Sequence, residues 1–398
     1  MIVTRSFFRS KDIPLNLSHF LDHFVMLIFA KAAFDSAIFF GVNYGSIIIY
    51  GTIGLVLFGA AAPLASLLAE RYSRRLLIAI FPFGVGVSSI LAGISQDLNQ
   101  LCVSLSLLGL FASIYHPVGI AMLMKNKMNL GFRLGVNGVW GNMGVAAAPL
   151  ITGLLILIGN WRLAFIFPGF ICILFGLWLI YLKYDEEKLS PSEESGLNQE
   201  TFSPNWKRAM LSLSLITIAG GFTFGALTFL IPRYFEIYLS AITQNIAITG
   251  MLAAFIYAVA SFSQILSGLV IDTREYKGFL FLIGLGQMAF IFVSAQTENF
   301  PLIIVMLFGM CFVYGQIPIG DAILRAHIPD KYRSRFLSIK FLLNLCIGAM
   351  VLPLTSILLA FGYELSFLFL LLSLVPILVI IGAIILHGLL NGLPSLII

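Results

Sequence analysis

Charge is scarce in this sequence. Only 10% of its 398 residues are Asp, Glu, Lys or Arg, 60% are apolar, and the mean hydropathy is +1.01. Soluble domains carry about 25% charged and about 45–50% apolar residues. The shortage of charge therefore excludes a soluble globular fold and leaves an integral membrane protein. Cysteine is scarce as well. Cys102, Cys172, Cys311 and Cys346 each lie in an apolar segment, with no CxxC and no Cys/His ligand spacing, which excludes a disulfide framework and a thiolate metal site. No metal and no cofactor are expected. A phosphate-binding loop is also lacking: FGVGVSS around Gly84 lies inside an apolar run and does not open a soluble helix after a strand, so ATP hydrolysis is not indicated. The net charge of +5 comes from short basic clusters between apolar segments, without the continuous patch and interleaved aromatics that nucleic acid requires. The opening MIVTRSFFRSKDIPLNLSHF has no continuous apolar core and no small-residue cleavage site, so it does not read as a removable signal.

Long apolar runs are what the sequence has instead. A helix needs about 20 mainly apolar residues to cross a bilayer. The polar breaks predict twelve such spans, near 15–38, 44–70, 76–95, 98–123, 134–159, 161–182, 209–232, 244–271, 279–296, 300–324, 337–361 and 364–387. An even number places both termini on one side. All but three of the 23 lysines and arginines fall on that side, the exceptions being Lys31, Arg162 and Arg233. The positive-inside rule makes it cytoplasmic, and the expected location is the cell (inner) membrane.

One long polar stretch interrupts this pattern. KYDEEKLSPSEESGLNQETFSPNWKR, residues 183–208, lies near the chain midpoint and mixes charge with Ser and Pro, the composition of a flexible linker. It divides the chain into six-helix bundles at 1–182 and 209–398. The two repeat each other: SLLAERYSRR from Ser66 matches GLVIDTREYK from Gly268, Asn142 matches Asn344 at the same offset of 202, and HPVGIAML from His116 matches IPIGDAIL from Ile317. Parallel repeats of this kind mark transporters with a site between two bundles. The fold class is an all-α membrane protein of two pseudo-symmetric bundles.

SLLAERYSRR resembles the signature loop of the major facilitator superfamily, G-x-L-A-D-R-x-G-R-[KR], and GNWRLAF entering the sixth span is similar to that superfamily's usual turn. Ser66, Glu70 and Ser73 depart from the pattern. The resemblance implies a gating role for Glu70, Arg71, Arg74 and Arg75, which lock the bundles in the outward-open state; Asp272 and Arg274 are their counterparts in the second half. GVNGVWGNMGVAAAPLITG in the fifth span resembles the superfamily's antiporter motif through Gly135, Gly144, Pro149 and Gly153, with Ala148 and Thr152 replacing two glycines. Small residues there let helices approach closely and the proline bends the helix. The motif favours proton-exchanging exporters over importers; bland small-residue packing is the alternative. The superfamily's arginine in the fourth span is missing, and the only basic side chain from Leu98 to Met124 is His116. The His-Pro pair, with SHFLD at Ser18–Asp22, looks like the fosmidomycin-resistance type of exporter.

Ionisable side chains at membrane depth are costly and face a cavity or a partner. His116 lies about 13 Å from Lys125 along its helix, and Asp22 about 12 Å from Pro14, so the two share a depth and are candidates for a proton-coupling pair. The alternative is an imidazole bonded to a backbone carbonyl. His19 and His23 sit nearer the helix entrance as polar caps. Lys31 is expected to snorkel at the outer interface and, four residues from Asp35, to pair with it. Asp321 has Arg325 at i+4 for an intrahelical pair. Pro117 and Pro318 occupy matching positions in the repeat and are expected to bend their helices.

These features together predict a monomeric secondary transporter that moves a small organic molecule across the bilayer by alternating access, with protons as the coupling ion and export ahead of uptake of a nutrient. A membrane-embedded enzyme such as an acyltransferase is the rival. It is weakened because no histidine has an aspartate five residues on, and no Ser or Cys nucleophile has a base nearby in sequence.

Overall fold

A chain in lipid must satisfy its backbone polar groups within its own helices, and every regular element among the described residues is helical. The computed structural model describes residues 12–124, 130–182, 201–272 and 276–387. Twelve apolar segments follow in order: α1 (Ile13–Phe40), α2 (Tyr44–Ala60 with Ala62–Ala69, bent by 41° at the break), α3 (Arg74–Ile94), α4 (Leu98–Leu123), α5 (Gly135–Ile158), α6 (Trp161–Tyr181), α7 (Trp206–Tyr238), α8 (Ile246–Gly268), α9 (Gly278–Ser294), α10 (Asn299–His327), α11 (Phe336–Ala360) and α12 (Leu365–Leu386). Ten of them are individually long and apolar enough to cross a bilayer; α2 does so as a bent pair, and α9 is shorter. The boundaries have local causes. Side-chain oxygens of Ser73, Asp97, Asn160 and Asn245 cap the starts of α3, α4, α6 and α8 by accepting from backbone N–H groups. Gly41 and Gly362, at φ +68° and +84°, end α1 and α11 in the left-handed conformation that glycine adopts without penalty.

The repeat seen in the sequence reappears as packing. Within the first half, Gly144 of α5 lies directly against the Phe20 carbonyl of α1; within the second, Gly221 of α7 lies against the Asn344 carbonyl of α11. An offset of 202 maps α1 onto α7 and α5 onto α11, so the same two elements touch backbone to backbone in each half. The halves then meet along two seams. At one, Gly250 of α8 packs on the Pro149 carbonyl of α5; at the other, Gly59 of α2 packs on Leu345 and Cys346 of α11. The larger apolar core runs through both halves, from Leu15 to Leu372, and a smaller one, from Ala209 to Leu386, lies within the second half.

Several expectations shift. The seventh span, predicted at 209–232, runs on through Pro232 to Tyr238. The described end of the linker packs on the second bundle: Phe202 stacks on Tyr332 at 5.3 Å and lies 4.8 Å from Trp206. Pro318 does not interrupt α10, which is helical from Asn299 to His327. Near Pro117, by contrast, α4 breaks at Ser113–Ile114 and resumes at Tyr115. Gly135 serves no close approach, since a Cβ there would meet nothing within 4 Å.

Candidate functional site

The break in α4 determines where His116 points. Pro117 supplies no N–H, so the turn ahead of it loosens, and the helix restarts with Tyr115 and His116 turned toward α1. On α1, His19, Asp22 and His23 share the face that meets them. His116 Nε2 stands 3.3 Å from Asp22 Oδ2, and both side chains are buried. Neither makes a hydrogen bond of standard geometry to any described residue. The His116 ring lies 5.2 Å from His19 and 5.3 Å from His23, centroid to centroid. Phe58 of α2 at 5.6 Å and Phe341 of α11 at 5.3 Å cover it from two sides. Because Phe341 belongs to the second half, the cluster lies at the seam between the bundles.

His19 and His23 are thus part of this cluster and not polar caps, because α1 continues as helix well before them and turns them inward. His19 donates from Nδ1 to the Asn137 carbonyl at 2.7 Å. Asn137 is the hub behind the site: Tyr115 donates its hydroxyl to Asn137 Oδ1 at 3.1 Å, and Asn137 Nδ2 donates to Asn16 Oδ1 at 2.9 Å. One turn earlier, Arg133 forms a buried bidentate pair with Asp12 at 2.6 and 2.7 Å. These contacts fix α1 against α5 and set the register of the histidines.

A second group of charges lies at the end of the bundles away from the basic loops. Lys31 does not snorkel. It is 1% exposed and donates to Glu236 of α7 at 2.5 Å and to Thr249 of α8 at 2.9 Å. Glu236 also accepts from Arg233 at 2.8 Å, and the Arg233 guanidinium sits 3.5 Å above the Phe34 ring. Asp35 is not the lysine's ion-pair partner, and its Oδ2 is buried without a hydrogen bond to any described residue. The tie crosses from the first half to the second. It depends on the continuation of α7 past Pro232, which brings Glu236 level with Lys31; a helix ended at the proline leaves Glu236 in a loop, and the sequence reading misses it for that reason. Thr249 and Asn137 carry no sequence signal beyond polarity in an apolar run.

The remaining candidates disperse. Asp321 pairs across to Lys340 of α11 at 2.5 Å, in place of the expected intrahelical arginine, and its side chain is 56% exposed. Arg71 is exposed and lies 5.7 Å from the neighbouring Tyr72 ring. Arg75 lines a small cavity of about 10 Å³ with Pro14, Leu15 and Ser18. Arg74 is half-buried at the start of its helix. Arg274 lies outside the described residues, as do the side chains of Glu70 and Asp272. In α5, Gly144 and Pro149 make the backbone contacts already given, and a Cβ on Gly153 would come 3.0 Å from the Ile246 carbonyl and 3.5 Å from the Lys31 side chain.

Two repeated bundles with buried ionisable groups at their seam form the frame of a transporter, and the Major Facilitator Superfamily model matches residues 15–319. The chain belongs to the Major Facilitator Superfamily. A nitrate/nitrite transporter, NrtP, of Nostoc punctiforme is 25% identical over 43% of this chain and 37% of its own length. A multidrug resistance protein, MdtG, of Escherichia fergusonii is 28% identical over 49% of this chain and 48% of its own. The chain spans about half the length, or less, of these curated relatives. The superfamily fold extends further than the sequence likeness: a bacterial homologue of the human lysosomal transporter Spinster, solved in an inward-facing and occupied conformation, superposes with a TM-score of 0.74 at 14% identity and covers 96% of each chain.

Proposed function

We propose that this superfamily member is a secondary active transporter that exports a small molecule in exchange for protons, as a monomer in the cell (inner) membrane with both termini cytoplasmic and with bundles at 1–182 and 209–398 joined by a linker. The observation that carries the reading is the placement of Asp22 and His116, buried and without a hydrogen bond to any described residue, at the seam between the halves. Groups so placed change their surroundings when the seam opens to one side or the other, which is what couples an ion to alternating access. Asp35 beside the far-end tie is a second candidate on the same path; Asp321, exposed and paired with Lys340, is displaced from it. Export is supported by the tight α5–α1 and α5–α8 contacts of the antiporter-like segment and by the likeness to the multidrug resistance proteins. The basic loop carrying Glu70, Arg71, Arg74 and Arg75, with Asp272 and Arg274 opposite, is assigned to gating. Uptake is the second reading, favoured by the likeness to a nitrate/nitrite transporter; the Asp22 carboxylate weighs against an anion at this site. Transport is favoured over catalysis by membership of the Major Facilitator Superfamily.

Vesicles test the direction. Inside-out vesicles with an acidified lumen are expected to accumulate substrate, and collapse of the pH gradient by a protonophore is expected to release it. Accumulation confined to right-side-out vesicles with acid outside would establish uptake.

A further inference from the structure

Three imidazoles converge where α1 faces α4. His19 and His23 are one helical turn apart on α1 and His116 reaches them from α4; each offers a ring nitrogen, and the three nitrogens lie within 4.8 Å of one another. A first-row divalent ion sits about 2.0–2.1 Å from each imidazole nitrogen, so tetrahedral donors stand about 3.4 Å apart. Side-chain movements of about 1 Å bring the cluster to that geometry. The rings lie 4.9–5.3 Å apart, centroid to centroid, a spacing too small for an organic molecule between them.

The donors are already prepared. The Asn137 carbonyl only accepts, so His19 carries its proton on Nδ1 and presents the lone pair of Nε2. That Nε2 is buried without a hydrogen-bond partner among the described residues, and so are both nitrogens of His116. Each of the two residues is 7% exposed. A carbonyl behind one nitrogen and a free lone pair on the other is the arrangement that orients a metal-binding imidazole. Phe58, Phe341 and Tyr115 supply the dry surround.

Charge and ligand type then select the occupant. Asp22, 3.3 Å from His116 Nε2, repels an anion and attracts a cation. Calcium and magnesium take oxygen ligands, whereas imidazole suits zinc, nickel, cobalt and copper. We infer that His19, His23 and His116 bind a divalent first-row transition-metal ion, with Asp22 balancing its charge, and that this ion is a cargo of the transporter. The cargo clause rests on the transport reading; the binding clause does not.

The full chain, purified in detergent through a tag free of histidine, is titrated with Co²⁺, whose visible absorption intensifies in a four-coordinate site. The expected result is saturable binding of one ion per chain, displaced by Zn²⁺ and weakened at least about tenfold in His19→Gln and in His116→Gln. His327→Gln, outside the cluster, is expected to bind as the parent does. Size-exclusion profiles verify that each variant is folded. In proteoliposomes loaded with a zinc-sensitive dye, the parent is expected to move Zn²⁺ and His116→Gln to stop doing so. Absence of saturable binding, or binding that survives replacement of all three histidines, overturns the site. Binding without zinc movement overturns the cargo assignment. Failure of cobalt binding in protein that still shows pH-gradient-driven flux of another solute removes this inference alone and leaves the transport reading in place.

Discussion

Lys31 shows how a single side chain can be misread from its neighbours in sequence. An aspartate at i+4 and a position near a span end point to a surface pair, yet the ammonium is buried and held by Glu236 and Thr249 from the other half. Partners that lie more than two hundred residues away leave no local trace. Removing one member of a buried ion pair costs about 3–5 kcal/mol because the other charge is left unpaired, whereas replacing both by apolar residues is often neutral. Glu236→Ala is therefore expected to lower the melting temperature in detergent by several degrees, and the double variant Lys31→Met, Glu236→Met to recover most of the loss. A double variant no more stable than Glu236→Ala would show that the pair contributes nothing as a pair. Asp22 and His116 behave differently: their depth along α1 and α4 is computable from the helical rise, so their proximity was legible before any coordinates. His19 and His23 were placed as polar caps instead, because the rotation of α1 about its axis is set by Arg133, Asn137 and the packing of α5.

The spans themselves were legible as elements, since a run of about 20 apolar residues admits few structures in lipid. Their ends were less so. Pro232 looks like a stopping point and lies inside a continuous helix, because tertiary packing and the loss of only one hydrogen bond allow the helix to pass. Glycines in α5 divide in the same way. Gly144 faces a backbone carbonyl that cannot yield, whereas Gly135 faces open space. Gly144→Ala is expected to destabilise by about 1–3 kcal/mol through overpacking, while Gly135→Ala is expected to stabilise by up to about 1 kcal/mol through helix propensity. Thermal melts of the two variants check the contrast, and shifts of the same sign would dissolve the distinction between a packing glycine and a merely permissive one. In α4 the break at Ser113–Ile114 makes a further prediction: Pro117→Ala, by restoring a backbone donor, is expected to straighten the helix and slow exchange and gradient-driven transport by the same factor. A change confined to gradient-driven transport would mean that the proline acts on the ion and not on the bend.

At the scale of the whole molecule, the repeat foretold two like bundles, and the matched contacts Phe20–Gly144 and Gly221–Asn344 realise it; which seams join the halves, and how tightly at each end, depended on packing that no offset reveals. Alternating access requires that contacts at the two ends exclude one another. The Lys31–Glu236 tie joins the halves at the end away from the basic loops, so its loss favours opening there, and every 1.4 kcal/mol removed shifts the two-state ratio about tenfold. The opposing device is the loop around Glu70, assigned by its resemblance to the lock on the other state. Phe229 of α7 lies beneath the tie, 3% exposed and 6.3 Å from Phe29 across the halves, and serves as the reporter. With the four native cysteines replaced and Phe229→Cys introduced, Glu236→Gln is expected to raise labelling by a membrane-impermeant thiol reagent applied from the far side. Glu70→Ala is expected to lower it. The two sites lie at opposite ends, so their effects on the logarithm of the labelling rate should add, and the double variant should fall between the singles. Labelling that ignores Glu236→Gln would show that the tie is structural and does not gate, and labelling that rises with Glu70→Ala would reverse the role of the basic loop.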